Sequence, residues 1–368
     1  SPTDASLASL DALASWMDRD RAIVKQWLAI YGAVLFRGFE SADGAAEFEK
    51  VAQHLADAPL ADVYLGTSPR VPVAGTKHVF TASEFAPWKV VPPHCEMSFL
   101  PSPPHFIAFF AASIPSDLRG GETPLIDMRG VTQQMDASVR KAFEDGGVRY
   151  IRRYPSADST HAADVYDFFK TKTWQEMFGH AVANASSSAA ASKAEDREAA
   201  ILAAVAEEAR SEGFEPEWEA RNGLKLTHEL NAFREHHPSA DGEETEWLFH
   251  NHLMTLHSRS WADEFAFAAY VHRSPVHALL ALGFYVLDSL YHAFLGAEGL
   301  AQHVTHHGGA PIDSSHVWHV RRLFWRNAVI APWQQGDLIV LDNMRVAHAR
   351  MPFATQGKRK LWVAWTTE

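Results

Sequence analysis

The decapeptide VVPPHCEMSF, residues 90–99, sets a histidine, the chain's only cysteine and a glutamate side by side. Imidazole, thiolate and carboxylate all bind metals, so the question is which of His94, Cys95 and Glu96 could share one ion. On a β-strand, residues two apart project to one face, which groups His94 with Glu96 and turns Cys95 to the other side. A third ligand must then come from elsewhere. A single cysteine excludes an intrachain disulfide and any cysteine-based zinc or iron–sulfur site, so a metal here falls to His, Asp or Glu. Among 21 histidines a chance His-x-Glu is expected on the order of once, so the doublet alone decides nothing.

A second cluster lies in HVTHHGGAPIDSSHVWHVRRLFW, residues 303–325, which holds five histidines. His316 and His319 could suggest another metal, but no spaced carboxylate accompanies them. The segment reads as a loop entering a strand. No GxGxxG or Walker phosphate loop is present, and no internal repeat.

These groups need elements to hold them. Residues 6–31 place Leu7, Leu10, Leu13, Trp16, Met17, Ile23, Val24, Trp27, Leu28 and Tyr31 at three- and four-residue spacing, the pattern of a helix. GAVLFRGF follows as a buried strand, and residues 43–56 return to helix through Phe48, Val51 and Leu55. The Pro-, Gly- and Thr-rich stretch 60–90 reads as loops near a working surface. HFIAFFAASI (105–114) and ETPLIDM (122–128) read as strands, VTQQMDASVRKAFEDGG as one helix, and VRYIRRY as a strand. Residues 181–212, rich in Ala, Ser and Glu, suggest a flexible start passing into a surface helix. GLKLTHEL and EWLFHNHLMTLH read as two strands flanking an HPSADGEE turn, and 263–300 as helical. GDLIVLDNMRVAHARMPF and KRKLWVAWTT read as a strand pair turning at Gln356-Gly357.

The 368 residues include 47% hydrophobic and 21% charged side chains, with 22 Phe and 12 Trp. That is ample material for a folded core and little sign of global disorder. No stretch of about 18 apolar residues stands out, and the first residues lack a secretory pattern, so a cytoplasmic protein with no membrane partner is expected. Acidic residues outnumber basic ones 45 to 33, a formal charge of −12, which repels polyanions and argues against nucleic acid as a partner. Protonation of the histidines below about pH 6.5 is expected to offset part of that charge.

Two long segments now bear on the doublet together. PPHCEMSFLPSPPHFIAFFAASIPSDLRGGETPLIDM and, far downstream, WQQGDLIVLDNMRVAHARMPFATQGKRKLWVAW resemble the taurine dioxygenase-like family of iron(II)- and 2-oxoglutarate-dependent oxygenases. The match is closest to the branch that uses glutamate as the carboxylate ligand and acts in amino-acid and specialised metabolism. It runs from about residue 30 to the C-terminus and is weak over 160–215 and 263–325.

The resemblance implies a mainly β, α+β fold: a double-stranded β-helix, or jelly roll, with surrounding helices. It implies one oxygenase domain over 1–368, with a helical N-terminal part at about 1–60 and insertions at about 160–215 and 263–325. It assigns His94, Glu96 and His348 to iron(II), a facial set that leaves positions for the chelating oxygens of 2-oxoglutarate and for dioxygen. Arg359, eleven residues after His348, is placed on the far carboxylate of 2-oxoglutarate, which a guanidinium grips bidentately. Thr123 is placed beside that carboxylate.

Substrate contacts are expected among Glu84 and Trp88 upstream of the doublet, Asn251 in an aromatic context shared with relatives, and Arg345 and Arg350. Of the last two, which flank His348, only Arg350 would share its face on a strand; a structural ion pair is the alternative for both. The implied reaction is hydroxylation of an unactivated C–H bond of a small polar substrate, an amino acid or derivative, with release of succinate and CO2. Desaturation or ring closure are alternatives within the same cofactor class. So is a carrier-tethered aminoacyl substrate, which the acidic balance disfavours. A zinc hydrolase on the same triad and a non-catalytic 2-oxoglutarate- or metal-binding sensor are the rivals from other classes.

Overall fold

The computed structural model describes residues 8–40, 44–54, 58–66, 70–158, 172–188, 193–237, 245–296 and 300–367. The first element is the helix Leu10–Tyr31, started by Ser9, whose side chain accepts from the Ala12 N–H, and ended by Gly32 at φ 74°. Its buried positions Leu10, Leu13, Ala14, Met17, Val24 and Leu28 follow the helical period. A second helix, Ala45–Gln53, buries Phe48 and Val51.

In chain order the first strands are β1 (Ala33–Phe36), β2 (Phe80–Thr81), β3 (Val91–His94), β4 (Phe106–Ser113), β5 (Arg119–Gly120), β6 (Leu125–Asp127) and β7 (Val148–Tyr154). There follow β8 (Glu215–Glu219), β9 (Gly223–Leu230), β10 (Phe233–His236), β11 (Glu246–Phe249) and β12 (Gln302–Thr305). The last are β13 (Ala328–Val329), β14 (Leu338–Asp342), β15 (Val346–Arg350), β16 (Phe353–Ala354) and β17 (Lys360–Trp365). They form a five-stranded sheet in the order β1-β14-β4-β17-β2 and four-stranded sheets β13-β6-β15-β3 and β12-β7-β9-β8, with β10-β11 and β16-β5 as pairs. Ladder pairing within these sheets is antiparallel.

Alternation along β4 and β17 shows how the layers stack. Ile107, Phe109, Leu361 and Val363 join Ile126, Val346 and Ala347 of the second sheet in one core. Ala108, Phe110 and Ala364, on the opposite face, pack with Leu10, Met17, Phe48 and Val51 of the two N-terminal helices. Each strand is therefore apolar on both faces, one toward the neighbouring sheet and one toward helices. The third sheet adds Tyr150 and Leu226 to the first core.

Several local expectations are corrected. The segment 131–147 belongs to two helices, Met128–Gln133 and Ala137–Gly146, separated by residues 134–136 with Asp136 at the second start. β14 and β15 are not a hairpin with β17: β14 and β17 flank β4, while β15 lies in the other sheet between β6 and β3. β9 pairs with β7 and β8, and β11 with β10; the intervening turn at 238–244 lies outside the described residues. After β11 the chain enters a short helix, Leu253–Leu256.

The histidine-rich segment begins in β12 and, where the loop was expected to enter a strand, runs into a helix, Ser314–Arg326. Asp313 accepts from the Ser315 N–H, and Val317, Val320, Leu323 and Phe324 fall on one buried face. β-branched and aromatic residues had masked that period. Residues 181–212 lie in two helices, Gly179–Ser188 and Ala194–Ser211; 159–171 and 189–192 lie outside the described residues.

The helical expectation for 263–300 is met by Ser258–His272 and Pro275–Leu295. The second of these departs from the membrane expectation: Pro275–Phe294 is long and apolar enough to cross a bilayer by length and mean hydropathy, with 12% of it buried. His277 and Asp288 break the run by eye without lowering its average enough. Leu279 is 70% and Phe294 81% exposed, so the helix meets the rest of the chain along a narrow side only.

Candidate metal centre

His94 is the last residue of β3, and His348, in the middle of β15, is its direct cross-strand partner. Directly opposed residues of an antiparallel pair project to the same face, which brings the two imidazole centroids to 4.4 Å. Glu96 reaches the same point by another route than strand alternation. The strand ends at His94, and Glu96 opens a turn in which Met97 takes φ 49° and the Leu100 N–H donates to Met97 O at 2.8 Å. Asn343, fully buried, fixes that turn: its Oδ1 accepts from the Glu96 N–H at 2.7 Å, and its Nδ2 donates to Glu96 O at 3.0 Å and Pro104 O at 2.8 Å.

One ligand atom from each of His94, Glu96 and His348 lies within 4.8 Å of the others, and all three residues are buried. Glu96 Oε2 is 3.8 Å from His94 Nε2 and 3.5 Å from His348 Nε2. His94 Nδ1 donates to Pro92 O at 2.8 Å, which leaves the Nε2 lone pair turned to the carboxylate. Burial, with His94 alongside, pushes the His348 imidazole down to about 4. Burial raises Glu96, but Arg70, His348 and His94 outweigh it and hold the carboxyl well below its usual range. The donor set at neutral pH is therefore a carboxylate and unprotonated imidazole, what a divalent ion of the iron(II) type requires. Cys95 does not take part: it is 1% exposed and packed in the first core with Met97 and Phe99.

A cavity runs from the triad to a second polar end. Its walls include Arg70, His94, Thr123, His348, Arg350 and Arg359. Arg359 donates to Gly121 O at 2.6 Å, and its Nε has no partner. Gly121 sits at φ 78°, and a Cβ there would come 2.9 Å from that Nε, so only glycine lets the guanidinium lie where it does. Thr123 Oγ1 accepts from the Trp333 indole at 3.1 Å, which keeps its own O–H available to donate. Arg350 donates to the carbonyls of Phe85, Ala86 and Lys89. Burial first and mutual repulsion second lower Arg350 to about 9, and burial lowers Arg359 to about 10, so both stay cationic at neutral pH. One buried and one half-buried cation with a hydroxyl beside the triad suit a small dianion that also reaches the metal.

The structure thus brings together His94, Glu96, His348, Thr123, Arg359 and Arg350. It does not bring Arg345 or Asn251 to the cavity wall. Arg345 pairs with Asp127 at 3.0 Å and donates to Ala29 O and Ile30 O, closing the end of the first helix. Asn251 donates to Ala232 O and accepts from the Leu253 N–H, a purely backbone role. Glu84 is exposed and acts on Arg350 only through its charge. Trp88 stacks on Phe265, with ring centroids 5.6 Å apart. Among the described residues, His316 and His319 join no metal-binding group; His319 faces Asp136 at 3.4 Å.

Sequence reading missed Arg70, Tyr64 and Asn343. Arg70 is buried against Glu96 and donates to its Oε2, and the Tyr64 hydroxyl donates to Oε1 at 3.2 Å. For Tyr64 and Arg70 the one signal was the irregular 60–90 stretch read as loops near a working surface; Asn343 lies outside it.

Comparison with known proteins places this architecture. The sequence profile described as taurine catabolism dioxygenase TauD, TfdA family matches residues 3–243 and 295–365. The chain belongs to that family and is a non-haem iron(II)- and 2-oxoglutarate-dependent dioxygenase. It is 26% identical over 341 residues to the dapdiamide synthesis protein DdaC of Enterobacter agglomerans, covering 93% of this chain and 84% of that one. It is 24% identical over 326 residues to a clavaminate synthase-like protein of Arabidopsis thaliana, covering 88% and 78%. A solved taurine dioxygenase from Burkholderia xenovorans overlays with a TM-score of 0.48 at 13% identity, over 95% of this chain and 82% of that one.

Proposed function

We propose that the chain hydroxylates an unactivated C–H bond of a small polar substrate, an amino acid or derivative, converting 2-oxoglutarate and O2 to succinate and CO2. The observation that carries this reading is one cavity with a two-histidine, one-carboxylate triad at one end and half-buried Arg359 at the other. The names of the relatives, a dapdiamide synthesis protein and a clavaminate synthase-like protein, support a role in specialised metabolism. We read the two sheets sharing the first core as a double-stranded β-helix in one oxygenase domain spanning 1–368.

In this reading His94, Glu96 and His348 would hold iron(II), and the ion with 2-oxoglutarate would supply the activation of dioxygen. Arg359 and the Thr123 hydroxyl bind the far carboxylate of 2-oxoglutarate and fix its register along the cavity. Pro92 O holds His94 in one tautomer, and Asn343 holds the backbone that aims Glu96. The apolar walls Val91, Phe109 and Leu361 keep water from the reacting bond. A glutamate in the triad, where chlorination would need a vacant position for halide, favours transfer of oxygen.

The test is anaerobic addition of iron(II) and 2-oxoglutarate. A weak visible charge-transfer band is expected, and its loss in His348→Ala. No band in the parent chain would sink the assignment. An amino-acid library screened for succinate release, with products weighed, then separates a gain of one oxygen from a loss of two hydrogens.

A further inference from the structure

On the Glu96 side of the triad two cations flank the ring of Tyr64, and a third, Arg152, is near enough to feel its charge. Arg70 lies with its guanidinium carbon 4.6 Å from the ring centroid, and the Lys172 amine is 5.0 Å from it. Arg152, on β7, is 2% exposed, and its guanidinium lies 4.1 Å over Phe99 and 4.8 Å over Phe214. Neither terminal nitrogen of Arg152 has an acceptor, nor do Nε and Nη1 of Arg70, and the buried Tyr154 hydroxyl is likewise unpartnered. The three cations sense one another: burial first, then Arg70 and Arg152, lower Lys172 to about 8.

Among the described residues, negative charge near them is scarce. Lys172 feels Glu176, but that carboxylate is already engaged by the N–H and hydroxyl of Thr173. Among the described residues, the carboxylate that pairs with Arg70 is Glu96. A metal ion that shares Glu96 therefore draws off part of the one carboxylate charge that Arg70 meets among the described residues, and a bound anion would restore the balance. Aromatic walls and planar guanidinium donors favour a carboxylate, which accepts parallel hydrogen bonds.

We propose that Arg70, Arg152 and Lys172 form the subsite for a carboxylate carried by the substrate, so that the enzyme acts on carboxylic acids and rejects the corresponding amides. This rests on the oxygenase reading and names the substrate class of that same site. 2-Oxoglutarate occupies the Arg359 end, and the substrate carboxylate the Tyr64 end, with the reacting bond between them.

The probe is acetate. The protein is loaded with cobalt(II) in place of iron and saturated with 2-oxoglutarate. It is then titrated with sodium acetate, acetamide or sodium chloride at constant ionic strength while its thermal midpoint and cobalt spectrum are followed. Acetate should raise the midpoint saturably, and acetamide and chloride should not. Arg152→Met and Lys172→Met should each weaken acetate binding at least tenfold. Lys172 is only half-buried, so its variant keeps the test open if Arg152→Met fails to fold. No acetate response beyond that of chloride would overturn the proposal, as would equal binding in the parent and Lys172→Met, the result expected if acetate merely coordinates the metal. An intact iron–2-oxoglutarate band with no acetate response would sink this subsite alone; loss of the band would sink the oxygenase reading instead.

Discussion

Asn343→Ala should damage the metal centre without removing a ligand. Asn343 makes three buried hydrogen bonds, at 2.7, 3.0 and 2.8 Å, two of them to the backbone of Glu96. A net contribution of about 1 kcal/mol each gives a loss of about 3 kcal/mol, and more if Glu96 N–H, Glu96 O and Pro104 O stay dry and unpaired. The turn they hold has Met97 at φ 49°, an unfavourable conformation for a residue with a side chain, so a freed turn should relax and carry Glu96 Oε2 away from the two imidazoles. Outer partners of metal ligands are worth 10- to 100-fold in affinity, and the cobalt(II) dissociation constant should rise by about that factor. Urea unfolding of the metal-free protein gives the stability loss, and a competitive chelator titration gives the affinity. Asn343→Asp is the sharper variant: it can still accept from the Glu96 N–H but turns a carboxylate toward two carbonyls, so it should fail as badly as alanine. Metal affinity within twofold of the parent, alongside the expected stability loss, would refute the claim that this clamp positions Glu96.

Two further outcomes follow from burial. Cys95→Ala should cost about 1 kcal/mol for the lost core volume and leave cobalt binding unchanged, whereas Glu96→Ala should abolish it; a tenfold loss of affinity in Cys95→Ala, read by the same titration, would make the thiol a ligand. Acid should unfold the protein early. Burial, with Arg234 second for His250 and adjacent histidines second for the other two, pushes His250 and His257 down to about 3 and His303 to about 2. Between those values and the unfolded value near 6.5 the unfolded chain binds more protons, so stability falls as pH drops, by up to about 1.4 kcal/mol per pH unit for each of these histidines. Urea midpoints should decline steeply from pH 6.5 to 4.5, and a flat profile would contradict the neutral burial of this group.

The same histidines mark where sequence reasoning ran short. Counting them as charges available below pH 6.5 treats them as solvated, but the fold buries several as neutral packing groups. The triad and the Arg359–Thr123 end were legible because a family pattern fixes residue type and spacing at once, and these residues sit on or beside strands with clear alternation. The strand alternation proposed for Glu96 gave the right neighbours by the wrong geometry, since the strand stops at His94 and Asn343 does the aiming. Arg70 and Arg152 had no local signature: one lies in an irregular loop, the other on a strand whose arginines look solvated until the third sheet and Phe214 enclose it. β15 could not be separated from β14 by pattern alone, because both are buried on each face and alternation no longer tells one sheet from the other.

Glu96 and Asn343 stand 247 positions apart, and His94 meets His348 only through the β3–β15 ladder. Of the three ligands, an unfolded chain therefore offers an ion only the His-x-Glu doublet at close range, and the long loop that completes the site must close before capture. Bound metal then reports on folding itself: stoichiometric cobalt counts the molecules in which β15 has found its place between β3 and β6. A preparation that is soluble but short of metal after reloading is one in which that last long-range pairing has gone astray.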